Sequence, residues 1–292
     1  MSFLSRYSRK PSAARTRERS LHIVIFSKDR ACQLDSLLRS IRHNLHLPSS
    51  DITILWRASD RAFARGYEHL HTHQPAAGVR WVEERNFPDD LRRLVATFHP
   101  DSLVMFLVDD DIFFRRFDDT NILRALSPRH LFISLRCSRA YRRDTPPVFT
   151  MVEPWLEWKW NYSKKNVVSW NYPFSVDGNI VRTSVIRRIL RAIEFSAPNS
   201  LEGRMHRHRH AWWVKRRSRA LAPCRAVVVN NPLNRVQIEG ETDHQDVSAT
   251  SLNERFLEGY RIDNGVYYTM SPKGVHHPVA VRFHTPGNTP DA

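Results

Sequence analysis

Residues 21–26 form a short apolar run interrupted by one histidine, with no polar alternation, the pattern of a strand buried on both faces. Directly after it, Leu34, Leu37, Leu38 and Ile41 fall at i, i+3, i+4 and i+7, which predicts one face of a helix packed on a sheet and ending before Pro48 and Ser49. The alternation repeats: a strand over Ile52–Trp56, a helix from Arg61 to about His71, a strand over Val79–Val82, then a helical stripe at Leu91, Leu94 and Val95 after Phe87 and Pro88. The apolar run Leu103–Val108 is the fourth strand of the series. Such an alternating series implies an α/β fold with a mostly parallel central sheet flanked by helices. In such sheets ligands collect at the carboxyl ends of the strands. Residues 27–30, 57–60 and 109–111 all occupy those ends, so three separate parts of the chain are expected to meet in one crevice.

From about Arg136 the alternation stops, and a segment rich in Trp, Tyr and Pro follows, with Trp155, Trp158, Trp160, Tyr162, Trp170 and Tyr172. A helical stripe returns at Ile186, Ile189, Leu190 and Ile193, with Arg187, Arg188 and Arg191 on its solvated sides. Ala226–Val229 reads as a late strand and Leu252–Tyr260 as a short helix, with no internal repeat anywhere.

Three consecutive carboxylates, Asp109, Asp110 and Asp111, stand between the apolar run Leu103–Val108 and a second one, Ile112–Phe114. An extended backbone sends alternate side chains to one side, so Asp109 and Asp111 are expected to converge while Asp110 faces away. Paired hard oxygens suit Mg2+ or Mn2+, ions often held by one or two protein carboxylates together with substrate phosphates. A strand-end acidic turn without a ligand is the plainer alternative.

Composition narrows the partners. The 292 residues carry 45 Lys and Arg against 30 Asp and Glu, a formal charge of +15, which favours polyanions: nucleic acid, anionic lipid or phosphorylated substrates. With 41% hydrophobic residues the chain can bury a continuous core and is not a disordered polymer. Three cysteines, Cys32, Cys137 and Cys224, give neither a disulfide framework nor a zinc module and fit a reducing, cytoplasmic setting. No apolar stretch approaches the roughly 18 residues that span a bilayer. Residues 1–20 hold Arg6, Arg9, Lys10, Arg15, Arg17 and Arg19 against the single acid Glu18 and read as a flexible basic arm. Its composition also suits a transit peptide, though no amphipathic stripe is evident, and it could touch the inner face of an anionic membrane.

The run His22–Arg30 before a helix, followed by Phe106–Asp111, resembles nucleotide-sugar glycosyltransferases of the A-type (GT-A, Rossmann-like) fold with an Asp-x-Asp motif. The resemblance covers roughly residues 21–115 well and continues more sparsely through Ser175–Arg182 and Pro198–Gly203. It implies a single domain over 21–285, with a nucleotide-binding half (21–135), an acceptor-binding half (136–285) and a tail (286–292). It further implies that Asp109 and Asp111 hold Mn2+ or Mg2+ on the donor diphosphate, with His244 as a third ligand; His276 and His277 are rivals for that place. On the nucleotide side stand Ser27, Asp29, Arg30, Arg57, Asp60 and Asp110, with Lys28 beside them. Arg30 can neutralise phosphate, and Asp29 can accept from base or ribose. Asp60 serves equally well as a helix cap. In inverting members a carboxylate starting a later helix deprotonates the acceptor hydroxyl. Glu202 holds that place in chain order, and Asp177, beside Gly178, is its rival.

The expected activity is therefore metal-dependent transfer of a sugar from a nucleotide-diphosphate donor to a glycan, lipid-linked or other hydroxyl acceptor. A sugar-phosphate nucleotidyltransferase would share the architecture, but the first strand is not followed by a Gly-rich, Lys-containing phosphate loop. A non-enzymatic nucleic-acid binder would account for the charge and the aromatics, yet no reading module is recognisable and the aspartates stay unexplained. Oligomeric state is left open. Met205–His210 alternates histidine with arginine, but on a helix only His206 and His210 share a face, and the neighbouring cations oppose a metal. The aromatic segment could stack on sugars, though core packing accounts for most of it. Asn230, Asn231 and Asn234 could bond hydroxyls or simply form a turn.

Overall fold

The computed structural model describes residues 19–47, 50–73, 78–118, 122–141, 145–161, 168–233 and 248–285. Nine strands make the central sheet. In chain order they are β1 Leu21–Lys28, β2 Ser50–Arg57, β3 Val79–Glu83, β4 Leu103–Val108, β5 His130–Ser134, β6 Phe149–Val152, β7 Trp155–Lys159, β8 Asn179–Arg182 and β9 Arg219–Pro223. Their spatial order is β3-β2-β1-β4-β8-β5-β9-β7-β6. The main helices are α1 Ala31–Asn44, α2 Arg61–His73, α3 Phe87–Ala96, α4 Thr183–Leu190, α5 Pro198–Arg207 and α6 Ala249–Leu257. The fold is thus α/β, a large central sheet flanked by helices.

The first four strands pair in parallel, as the alternation predicts, and β1 lies between β2 and β4. The chain therefore leaves β1 toward β2 and later crosses to the other side of β1 to make β4. The carboxyl ends of β1 and β4 flank this change of direction, where an open α/β sheet leaves a crevice. Beyond β4 the sheet becomes mixed: β8 is antiparallel to both β4 and β5, β9 is parallel to β5, and β7 and β6 close the edge antiparallel. Short antiparallel strands need no crossover helix, so they carry no helix-strand rhythm, and the sheet continues where the sequence pattern falls silent. The late strand is Val228–Asn230, and it pairs with Asp111–Phe113 in a separate ribbon instead of joining the main sheet.

Local sequence sets the helix ends. Asn86 caps α3 by accepting the Asp89 N–H at 3.1 Å, with a proline in the first turn. Helix α1 is buried on nearly all sides, including its charged residues Asp35 and Arg39. Asp35 takes Arg39 at 3.0 Å and Arg261 at 2.5 Å, while Ser36 donates to Asn264 Oδ1 at 2.6 Å. These bonds fasten the C-terminal segment over the helix that carries Arg30 at its entrance; breaking such a buried pair costs about 3–5 kcal/mol. No helix among the described residues is long and apolar enough to cross a membrane.

Candidate active site

The β1 exit is a sharp turn. Asp29 has φ +59°, a left-handed conformation that Asp tolerates better than most residues. Its N–H donates to Arg57 O at 3.1 Å, and its Oδ1 accepts the Ser59 N–H at 2.6 Å, which locks the β1 end to the β2 end. The turn sends Arg30 back toward the end of β4. There its Nη1 lies 3.1 Å from Asp109 Oδ1 and 2.9 Å from Asp110 Oδ2. The Tyr67 hydroxyl supports the turn, accepting the Arg30 N–H at 3.2 Å and bonding Ser27 Oγ at 2.7 Å.

The aspartates do not follow the alternation of an extended strand. Asp109 and Asp110 form a tight turn between β4 and the short strand Asp111–Phe113. Asp111 Oδ2 accepts the Val108 N–H at 2.9 Å, closing that turn. Asp110 therefore joins its neighbours instead of facing away. Asp109 and Asp110 share Arg30, and Asp110 Oδ1 and Asp111 Oδ1 share the Asn230 amide at 2.7 and 3.2 Å. Asn230 comes from the ribbon strand paired with Asp111.

The network runs on across the cleft. Asn230 Oδ1 lies 3.2 Å from His276 Nδ1, and His276 Nε2 lies 3.3 Å from Arg136 Nη2. Arg136, just past β5, pairs with Asp177 Oδ2 at 2.9 Å and bonds Ser175. The Ser175 hydroxyl lies 2.9 Å from Glu202 Oε1 and 3.2 Å from Asp177 Oδ2, and the Val176 N–H donates to Glu202 Oε1 at 3.2 Å. Glu202 reaches this point from α5, whose start is set by Pro198 and by Ser200 Oγ accepting the Ala197 N–H at 2.9 Å.

Charge in the cleft is unevenly compensated. Burial pushes the Asp109 carboxyl up to about 6, against Arg30 and with Asp110. Burial, then the Asp177 and Asp110 charges, raise Asp111 well above the usual carboxylate range. Asp111 is fully buried, and its hydrogen bonds come from neutral groups, Val108 N–H and the Asn230 amide. Burial and then Asp177 push Glu202 up to about 7. For Arg136, burial opposes the charge, but Asp177 and then Glu202 outweigh it and raise the guanidinium further.

The other expected site residues have the following partners in the structure. Asp60 caps α2 by accepting the Phe63 N–H at 2.9 Å. Arg57, about half exposed, pairs with Glu84 at 3.5 Å, and the Lys28 side chain is exposed while its N–H donates to Asp109 Oδ2 at 3.3 Å. Ser27 is buried against Tyr67. Asn231 is tied to Tyr267 and Val279. Trp155, Trp158, Trp160 and Trp170 are core, and His206 stacks on Tyr172 at 3.9 Å. His244, Asn234, Tyr162 and residues 1–18 lie outside the described residues. Arg136 and Tyr67 were not anticipated. Arg136 had a signal, a cation directly after the apolar run Leu131–Leu135, the same strand-end position that singles out Asp109.

A divalent cation fits this donor set in part. Two carboxylates, Asp110 and Asp111, converge on one neutral amide, and Asp111 is buried with no cation in contact with it among the described residues. No cluster of three or more His, Cys, Asp or Glu side chains able to hold a metal occurs among the described residues. The set therefore suits an ion that completes its shell with substrate oxygens and water.

No protein-family model matches the chain. The chain is 26% identical over 199 residues to the bifunctional glycosyltransferase pgtA of Dictyostelium discoideum, an alignment covering 61% of this chain and 26% of that protein. It thus spans about a quarter of the length of the curated relative it matches. Among solved structures, TarS of S. aureus is 10% identical with a TM-score of 0.45, covering 72% of this chain and 36% of that one. The galactosyltransferase LgtC in complex with donor and acceptor sugar analogs is 11% identical with a TM-score of 0.40, covering 86% of this chain and 98% of that one.

Proposed function

We propose that the chain is a metal-dependent glycosyltransferase that moves a sugar from a nucleotide-diphosphate donor to a hydroxyl acceptor. One observation carries the reading: a strand-end acidic cluster with a built-in cation, Arg30, lies in the same buried network as a second carboxylate pair, Asp177 and Glu202. The alignment with a bifunctional glycosyltransferase supports it.

In this reading Asp109 and Asp111 would hold Mn2+ or Mg2+, Asp110, which shares Arg30 with Asp109 and the Asn230 amide with Asp111, could join them, and His244 or His276 is the further candidate. When bound, the cation supplies positive charge against the donor diphosphate. Arg30 serves the same end from the protein side. Its guanidinium spans Asp109 and Asp110, and moving it onto a phosphate oxygen exchanges one anionic partner for another. Asp29 and the β2 end form the nucleotide wall, locked by the Ser59 bond. Glu202 is the base: its carboxyl, raised to about 7, can take the acceptor proton near neutrality. Asp177, paired with Arg136, holds negative charge beside it, and Ser175 fixes the Glu202 oxygen that accepts its hydrogen bonds. Residues 21–285 act as one domain. The acceptor is a glycan, lipid-linked or other hydroxyl compound, and the excess positive charge brings the protein to the inner face of an anionic membrane.

Two measurements test this. Incubation with a panel of nucleotide sugars and Mn2+ should release nucleoside diphosphate from one of them; no release from any would end the proposal. Calorimetry of that nucleotide with and without chelator should give binding only with the ion, and equal affinity in both would remove the metal from the site.

A further inference from the structure

The chain turns back across the sheet after Glu202. Helix α5 leads into residues 208–217, and β9 then starts at Arg219, whose N–H donates to Arg129 O. Arg219 pairs with His130 at the start of β5. Asn179, next to Gly178 at the acidic cleft, pairs instead with Ser134 at the other end of β5. The 212–217 segment therefore lies at the end of the strands opposite the cleft.

At that end of the sheet Pro128, Arg188, Trp212, Trp213, Arg216 and Arg217 line a groove of about 330 Å³. The Arg188 guanidinium stands 4.3 Å from the Trp213 ring centre, and Arg216 stands 5.7 Å from Trp212. Trp212 is 66% exposed, the one aromatic among the exposed large hydrophobic side chains of the described residues. No ion pair among the described residues involves Arg188, Arg216 or Arg217; Glu157, on the strand paired with β9, is taken by Arg129, His130 and Arg219. Arg217 Nε is buried without a hydrogen-bond partner. Burial first, and then the neighbouring Arg216 and Arg188 charges, lower the Arg217 guanidinium below its ordinary value.

We propose that this groove is the membrane-docking surface of the protein, with Trp212 entering the headgroup layer of an anionic bilayer and Arg188, Arg216 and Arg217 binding its phosphates. Indole at the interface and cations against anionic headgroups are the two elements that such a contact combines. Cation–π stacking over Trp212 and Trp213 presents the guanidinium groups and the rings together. The proposal deepens the membrane part of the preceding reading and does not depend on the sugar chemistry. Docking at this end of the strands leaves the cleft at the other end open.

The full chain should co-sediment with vesicles containing phosphatidylglycerol and not with pure phosphatidylcholine, with a blue shift of tryptophan emission that disappears in Trp212→Phe. Replacing Arg188, Arg216 and Arg217 together by Gln should weaken partitioning at least tenfold, and Lys at the same positions should largely restore it. Both sets should keep the wild-type circular dichroism. No nucleotide sugar is present, so the outcome is separate from that of the donor screen. The proposal is overturned if the Gln variant partitions like wild type, which would give the binding to other cations, or if soluble polyphosphate or single-stranded RNA binds the groove as tightly as the vesicles do.

Discussion

Arg136 pairs with Asp177 across 2.9 Å in a site where both are buried. Glu202, one hydroxyl away, receives its hydrogen bonds on Oε1 alone, from Ser175 and Val176 N–H. The two carboxylates therefore differ in what an amide would do to them. Asp177→Asn breaks an ion pair and leaves a buried guanidinium short of its anion, an expected loss of about 3–5 kcal/mol in denaturant unfolding. Glu202→Gln keeps an oxygen for both donors and removes only the charge.

That difference has a pH signature. Glu202 titrates higher folded, near 7, than its ordinary value of 4.5. Between those values the folded state holds a proton that the unfolded state has lost, so the contribution of Glu202 to stability falls as pH rises and stays low above about 7. Glu202→Gln is therefore expected to match wild type at low pH and to unfold at higher denaturant than wild type at pH 8. A pH-independent offset between the two would show that the carboxyl is not perturbed by its site.

If Glu202 is the base, turnover of wild type should have an acidic limb near pH 7, because the carboxylate form is the one that accepts the proton. Glu202→Gln should lower turnover by about 10²–10⁴-fold with little change in donor affinity, and the limb should vanish from what remains. Normal turnover in this variant, together with a dead but folded Asp177→Asn enzyme, would transfer the role to Asp177.

The parallel half of the fold was legible because apolar strands and amphipathic helices alternate through residue 108, and that alternation places Arg30 and Asp109 at neighbouring strand ends. The antiparallel half was not. Trp155 to Lys159 and Asn179 to Arg182 are too short to separate from packed loop by periodicity, and tertiary pairing alone makes them strands. Within the site, local spacing could not foresee that a turn would swing Asp110 onto Arg30. Nor could it give Asn230, which reads as a turn residue, the task of joining Asp110 to Asp111. Both depend on contacts between residues that lie far apart in the chain.

Arg30 balances two carboxylates, so Arg30→Met should destabilise the metal-free protein by about 3 kcal/mol, because Asp109 and Asp110 are left buried side by side. A divalent ion could take over part of that compensation. Mn2+ is therefore expected to raise the melting temperature of the variant more than that of wild type, while donor affinity drops for want of the phosphate-facing cation. Equal responses to Mn2+ in thermal scans would argue that Arg30 and the ion do not act on the same carboxylates.

Asp111→Asn tests the ion from the other side. The amide has one acceptor oxygen where the carboxylate uses two, toward Val108 and Asn230, so one hydrogen bond worth about 1 kcal/mol is lost, while a buried charge goes with it. Stability should change by no more than about 1–2 kcal/mol, yet metal-dependent nucleotide binding should fall at least tenfold in calorimetry. A variant that binds donor and ion like wild type would move the site away from Asp111.

Gly178 sets the distance between the two halves of the cleft. It follows Asp177 with φ +94°, and an added Cβ would stand 2.6 Å from Val228 Cγ1, in the ribbon that carries Asn230. Its N–H donates to Phe106 O at 3.0 Å and its carbonyl accepts the Leu135 N–H at 3.2 Å, so the backbone cannot shift without releasing bonds on both sides. Gly178→Ala thus combines left-handed strain with overpacking, each worth roughly 1–3 kcal/mol. Adding Val228→Ala removes the clash but not the strain. In a double-mutant cycle the pair should accordingly be less destabilised than the sum of the single variants by about 1–2 kcal/mol. Strict additivity would show that the ribbon does not press on the Asp177 turn, and the distance between Asp177 and the aspartate cluster would then have to be set elsewhere.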